Sequence, residues 1–205
     1  MNARFITFEG GEGAGKSTQI QLTADFLREQ GIEVVVTREP GGTQCAENVR
    51  DLLVRDTGYT FTPKAELALI YGARVDHTEK VIQPALESGS WVLCDRYADS
   101  SRVYQGIAQN VGLKTVQALH DALLEGFEPD ITFFIDVPVD TGLNRTQSRD
   151  GDEDRFENMG TSFHEKIRNG FLKISDKNAR FSIIDGTQDI DNVFSQIKSV
   201  LKAYV

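Results

Sequence analysis

Cysteine is scarce: Cys45 and Cys94 are the only two in 205 residues, and neither sits among other metal-ligating side chains. A disulfide scaffold and a cysteine-based metal cluster are therefore excluded, and the pattern is that of reduced thiols in a cytosolic compartment, with Cys94 in the core. No apolar run approaches the roughly 18 residues needed to span a bilayer. No cleavable apolar leader is expected either, since the first strand begins by Arg4. Basic charge is in deficit, 22 Lys and Arg against 31 Asp and Glu for a net charge of −9. That balance argues against wholesale binding to nucleic acid or an anionic membrane. Proline is sparse at five residues while 40% of the chain is apolar, which excludes a disordered or collagen-like chain. At about 100–200 residues per domain, a single domain is expected.

What is present alternates regularly between strand and helix signals, without repeats or low-complexity segments. Strands are expected at Arg4–Glu9, Ile32–Thr37, Trp91–Asp95, Ile131–Asp136 and Arg180–Ile184. Helices are expected at Lys16–Gln30, closed by Gly31, at Thr43–Arg55, and over a long stretch Lys64–Leu86, apolar on nearly every side through Leu67, Ala68, Leu69, Ile70 and Ala73, whose last turns contain Pro84. Further helices fall near Ser100–Ala108, Lys114–Glu125, Asp140–Ser148, Thr161–Lys177 and Ile190–Tyr204. The alternation implies an α/β fold, a mostly parallel five-stranded sheet covered on both faces and joined by right-handed crossovers. Ligands of such sheets lie beyond the carboxyl ends of the strands, so chemistry is sought there.

Gly10-Gly11-Glu12-Gly13-Ala14-Gly15-Lys16-Ser17 satisfies G-x-x-x-x-G-K-[ST] between an expected strand and an expected helix. Glycines let consecutive backbone N–H groups close on phosphate oxygens, and the helix that follows adds its positive end. Lys16 is placed to reach the β- and γ-phosphates and the Ser17 hydroxyl to bind Mg²⁺. No G-x-G-x-x-G dinucleotide fingerprint can be drawn through the same glycines. A metal-linked carboxylate should end a neighbouring strand, and Asp95 and Asp136 are the two candidates; Asp95 is preferred because Arg96 follows it.

Three arginine groups accompany this loop. Arg38 and Arg50 flank the Pro40-Gly41-Gly42 turn and offer a second anion site, although such a segment is as readily a plain turn. Arg74 interrupts an apolar helix, with Ile70 one turn before it, and a buried guanidinium must find hydrogen-bond partners. Arg145, Arg149 and Arg155 flank the acidic run Asp150–Asp154, which reads either as a solvated loop or as a lid closing over a nucleotide.

The combination of Phe8-Glu9-Gly10 through Thr18, Arg38-Glu39-Pro40-Gly41-Gly42, Asp95-Arg96-Tyr97 with Ser100-Ser101 and Tyr104-Gln105-Gly106, and Asp154-Arg155-Phe156-Glu157 resembles the thymidylate kinase family across essentially the whole chain. The resemblance implies a three-layer P-loop NTPase fold over residues 1–205 with a small lid at about 146–160, and transfer of the γ-phosphate of ATP to dTMP with Mg²⁺. It implies that Gly10, Gly11, Glu12, Gly13, Ala14, Gly15, Lys16, Ser17 and Thr18 bind ATP, with Ser17 and Asp95 at the metal. It places Glu12 at the sugar of the monophosphate, Arg38, Arg50 and Arg96 at its phosphate, Ile70, Arg74, Ser101 and Gln105 around the base, and Tyr104 near the sugar.

Gly13 stands where one branch of the family has an arginine, so Arg149 and Arg155 in the lid become the catalytic cations beside Lys16, Arg96 and Glu12. Asp185-Gly186-Thr187-Gln188 is implied to lie near adenine. Ile70 departs from the family's usual stacking Phe, which makes a kinase for dUMP or a 5-substituted dUMP the alternative. A nucleotide-hydrolysing switch is a further one, although no guanine-reading Asn/Thr-Lys-x-Asp sequence follows a late strand. The implied setting is a cytoplasmic homodimer using small-molecule substrates, with neither nucleic acid nor membrane as partner.

Overall fold

A computed structural model describes residues 2–55, 60–146, 159–176 and 178–205. All five expected strands form: β1 (Phe5–Glu9), β2 (Val34–Arg38), β3 (Trp91–Asp95), β4 (Ile131–Asp136) and β5 (Phe181–Asp185). They make one sheet in the order β2-β3-β1-β4-β5, with every neighbouring pair parallel. β1 is central and buried along its length. The chain leaves it toward β2 on one side and reaches β4 and β5 on the other, so the strand order reverses beside β1 and opens a crevice at the carboxyl ends.

Local chemistry accounts for the helix boundaries. α1 (Lys16–Glu29) begins after Gly15, whose φ of 89° supplies the turn out of the glycine loop. α2 (Gln44–Val54) is capped by Thr43, whose hydroxyl accepts from the Ala46 amide. α3 (Pro63–His77) has Thr62 as its cap and Pro63 in its first turn, where a missing N–H costs nothing. The expected Lys64–Leu86 helix does not run uniformly. A π-helical segment, Thr78–Ile82, joins α3 to a short α4 (Gln83–Glu87). Pro84 cannot donate to the carbonyl four residues back, and the wider turn just before it accommodates that lost bond.

After β3, α5 (Ala98–Ser101) continues into a second π-helical segment, Arg102–Ala108. α6 (Leu113–Leu124), α7 (Val139–Thr146), α8 (Thr161–Ser175) and α9 (Ile190–Leu201) complete the described helices. One core layer packs α1 and α9 against the sheet through Ile20, Ala24, Leu27, Phe133, Ile197 and Leu201. Phe5, Val92, Cys94 and Tyr97 form the opposite layer. Cys94 is buried as expected, and Cys45 is exposed. Among the described residues no helix is long and apolar enough to cross a membrane.

Candidate active site

The loop from Gly10 to Gly15 arches over the carboxyl end of β1 because its glycines permit contacts that a side chain would forbid. A Cβ on Gly10 would stand 2.7 Å from the Ile135 carbonyl oxygen, and one on Gly13, at φ 67°, only 2.0 Å from that of Gly142. Lys16, at the first turn of α1, is buried and turns its ammonium back into this arch, 3.3 Å from the Gly11 carbonyl oxygen and 3.5 Å from that of Gly10. Burial, then the nearby Arg96, lowers its pKa, while Asp95, Glu12 and Glu9 pull the other way. A buried cation against carbonyl oxygens at the end of a helix is an anion receptor.

Ser17 donates its hydroxyl to Asp95 Oδ2 at 3.4 Å, and Asp95 Oδ1 is buried with no hydrogen-bond partner among the described residues. Asp136, the other candidate carboxylate, is held by Arg168 through both oxygens at 2.7 and 2.9 Å. Asp95 thus keeps a free buried oxygen next to a hydroxyl, and a hard cation needs such oxygen donors.

Arg96 follows Asp95 in the left-handed region, at φ 68°. That turn swings its guanidinium back over the glycine loop, where it donates to the Gly10 carbonyl at 2.9 Å, the Ser100 hydroxyl at 3.3 Å and Glu12 Oε1 at 2.8 Å. It also lies 5.1 Å from the centre of the Tyr104 ring, and the Tyr104 hydroxyl donates to the same Glu12 oxygen at 3.1 Å. Burial opposes ionisation of Glu12, and Arg96 and Lys16 outweigh it, so its pKa falls.

Beneath this pair, Glu9 at the end of β1 accepts from the Tyr97 amide at 2.9 Å, the Ser100 amide at 3.3 Å and the Ser100 hydroxyl at 2.6 Å. Burial, reinforced by Asp99, pushes the Glu9 carboxyl up to about 7.

The opposite wall comes from β2 and α3. Arg74, only 2% exposed, donates Nε to Glu39 at 2.7 Å, Nη1 to the Ser101 hydroxyl at 3.1 Å and Nη2 to the Tyr97 carbonyl at 3.1 Å. His77 braces the second Glu39 oxygen at 3.0 Å and meets the Thr37 hydroxyl at 2.7 Å. Arg38 pairs with Glu47 at 3.0 Å, and Arg50 donates to the Pro40 carbonyl at 3.0 Å, which fastens the Pro40-Gly41-Gly42 turn.

These groups enclose one cleft of about 650 Å³. Glu12, Gly13, Ala14, Gly15, Lys16, Ser17 and Thr18 line it from the loop side, Arg38 from the end of β2, Arg50, Ile70 and Arg74 from α2 and α3, Asp95 from the end of β3, and Arg96, Ser101, Tyr104 and Gln105 from the segment that follows. Gly10 and Gly11 lie behind it, as carbonyl partners of Arg96 and Lys16. Arg149 and Arg155 lie outside the described residues, as does the acidic run between them.

Arg145 donates to the Gly186 carbonyl through both Nη atoms at 3.2 Å and reaches Gly13 O at 3.5 Å, which joins the Asp185–Gln188 loop to the glycine loop. The sequence pattern includes Glu9, Glu39, Tyr97 and Ser100 in its motifs but assigns them no role in the site, and it does not single out Leu53 or Val54 at all. For Glu9 a signal existed, a carboxylate closing an otherwise apolar strand. Leu53 and Val54 look in sequence like any apolar helix positions.

Comparison with known proteins agrees with this architecture. The family model described as thymidylate kinase matches residues 8–197. A thymidylate kinase of Afipia carboxidovorans is 49% identical over 197 residues, which covers 95% of this chain and 86% of the relative. One from Caulobacter vibrioides is 46% identical, covering 96% and 95%. The crystal structure of a thymidylate kinase from Ehrlichia chaffeensis superposes with a TM-score of 0.79 at 36% identity, over 98% of this chain and 99% of that one.

Proposed function

This chain belongs to the thymidylate kinase family, and from that premise we propose that its cleft transfers the γ-phosphate of ATP to dTMP, giving dTDP and ADP on the way to dTTP. It is an ATP-dependent nucleoside monophosphate kinase. The observation that carries the reading is the convergence of Lys16, Arg96 and Arg74 on one cleft.

The acceptor phosphate has a second pKa of about 6 and is already largely dianionic at neutral pH. A general base is therefore unnecessary, and the obstacle is repulsion between two polyanions that must meet in line. Lys16 and the amides from Gly10 to Thr18 hold the donor phosphates. Arg96, with Arg38 and Arg50, holds the acceptor phosphate, and Glu12 with Tyr104 steadies both Arg96 and the sugar. Ile70, Arg74, Ser101 and Gln105 enclose the base, with Ile70 covering its face in place of an aromatic ring.

The Ser17 hydroxyl and the unpartnered oxygen of Asp95 suit Mg²⁺, which supplies charge neutralisation at the β- and γ-phosphates when bound. The segment at about 146–160 serves as a lid in this reading, and its Arg149 and Arg155 meet the charge that shifts toward the leaving ADP. A homodimer in the cytoplasm completes the proposal, and light scattering on the purified chain tests its oligomeric part.

A coupled ADP-release assay with dTMP, dUMP, dCMP or no acceptor tests the activity. The expected result is strict dependence on an acceptor, with dTMP preferred. Equal rates with dTMP and dCMP would overturn the base assignment, and ADP release without any acceptor would point to a nucleotide-hydrolysing switch.

A further inference from the structure

The Glu66 carboxylate, fully buried in the first turn of α3, bears on the choice of base through a second residue. Its Oε1 accepts from Gln105 Nε2 at 2.8 Å and from Gln109 Nε2 at 2.8 Å. A carboxylate only accepts hydrogen bonds, so an amide that faces it must present its NH₂ end. Glu66 thereby dictates which way the Gln105 amide is turned. The NH₂ points at the carboxylate, and the carbonyl oxygen is left on the other side of a residue that lines the cleft.

Ser101 lies four residues before Gln105, about one turn of this partly π-helical stretch, so the two share a face. The Ser101 hydroxyl holds Arg74 Nη1 at 3.1 Å. Three of the five N–H donors of Arg74 are directed at Glu39, Ser101 and the Tyr97 carbonyl, which leaves two on a guanidinium that lines the cleft. Along one wall, then, a guanidinium donor neighbours an amide acceptor. The complementary edge is that of a pyrimidine with a carbonyl oxygen at position 4 and an N–H at position 3. A 4-amino pyrimidine presents the reverse pattern, a donor against Arg74 and a bare nitrogen against the Gln105 oxygen.

We propose that Glu66 is a specificity-determining positioning residue, which sets the base preference of the cleft by locking the Gln105 amide with its carbonyl oxygen toward the base. The inference deepens the dTMP kinase reading and rests on it. It assigns discrimination against aminopyrimidines to a carboxylate that has no need to touch the nucleotide.

Steady-state kcat/KM for dTMP and for dCMP, measured with ATP on the wild-type chain, on Glu66→Gln and on the exchange variant Glu66→Gln/Gln105→Glu, tests it. In Glu66→Gln the partner can donate as well as accept, so the Gln105 amide can turn over. The dTMP-to-dCMP ratio should then fall about tenfold or more, largely through a gain with dCMP. In the exchange variant residue 105 carries two acceptor oxygens whichever way it turns, and the ratio should return to within about threefold of wild type.

A purely structural role for Glu66 would lower both activities together and leave the ratio unchanged, and that result in a folded Glu66→Gln enzyme overturns the proposal. Should the single variant not fold, a folded exchange variant with a collapsed ratio overturns it equally. A wild-type chain with no preference for dTMP instead defeats the substrate reading itself, so the two failures are distinguishable.

Discussion

Gly13 of the phosphate loop and Gly142 of α7 pack backbone to backbone, so closely that a Cβ on either would collide with the other's segment, at 2.0 Å from Gly142 O or at 2.4 Å from Glu12 O. The apex of the loop is therefore shut against α7 and has no room for the arginine that part of the family carries at this position. In the proposed reaction the cation for the transferring phosphoryl group is therefore assigned to Arg149 and Arg155, which lie outside the described residues.

Gly13→Ala tests this packing. The left-handed φ alone costs an alanine about 1–2 kcal/mol, and relief of the collision must move the loop. A fall of about tenfold or more in kcat/KM for ATP is expected, with a smaller effect on dTMP affinity measured by calorimetry.

Removing either central cation should lower turnover without unfolding the protein. Lys16→Ala and Arg96→Ala are each expected to reduce kcat by about a hundredfold or more, the scale for loss of one preorganised charge-stabilising donor. Arg96→Lys should recover little of it, because one ammonium cannot serve Gly10 O, Ser100 and Glu12 from the guanidinium's fork. Circular dichroism with the ADP-release assay separates loss of activity from loss of fold; near-normal rates would refute the roles given to both residues.

Arg74 should matter to stability as well as to the base. Arg74→Ala strands Glu39 in a buried setting with only His77 and its neighbours to answer it. Breaking one side of a buried pair costs on the order of 3–5 kcal/mol. The unfolding free energy from urea denaturation should fall by that amount, far more than for Arg28→Ala, whose exposed pair with Asp25 contributes little.

Glu9 should make the fold less stable as pH rises. Its carboxyl is raised by burial and by Asp99 from 4.5 to about 7. Below pH 4.5 the folded and unfolded chains both hold the proton. Between 4.5 and 7 only the folded chain holds it, so this contribution to stability is eroded through that window and is absent above it. Glu12 and Asp99, with depressed values, act in the opposite sense at lower pH. Denaturant midpoints from pH 4.5 to 8 should therefore decline less steeply for Glu9→Gln than for wild type; parallel profiles would refute the assignment.

The glycine loop and the strand order of events along the chain were legible because they rest on local rules. Four motif positions in a strand-turn-helix setting dictate a loop conformation whatever surrounds it, and apolar runs bounded by turn residues located all five strands to within a few residues. The break at Thr78–Ile82 was not legible, because a π-helical turn depends on how the helix must pack around Pro84 rather than on any residue preference. Glu39 was quoted as part of a turn and is in fact the buried anion that holds Arg74; its partner lies 35 residues away, beyond the reach of local pattern.

Residue types and their spacing were sufficient for the phosphate loop, for the choice of an α/β sheet and for the family, since backbone geometry and hydrophobic periodicity act over a few neighbouring positions. Long-range packing was needed to show that Arg168 occupies Asp136 while Asp95 keeps an unpartnered oxygen, that Arg96 folds back onto Glu12, and that Glu66 holds the Gln105 amide. Ion pairs and hydrogen bonds are made between groups that the chain brings together from distant positions, and their strength depends on burial that exists only once the core has closed.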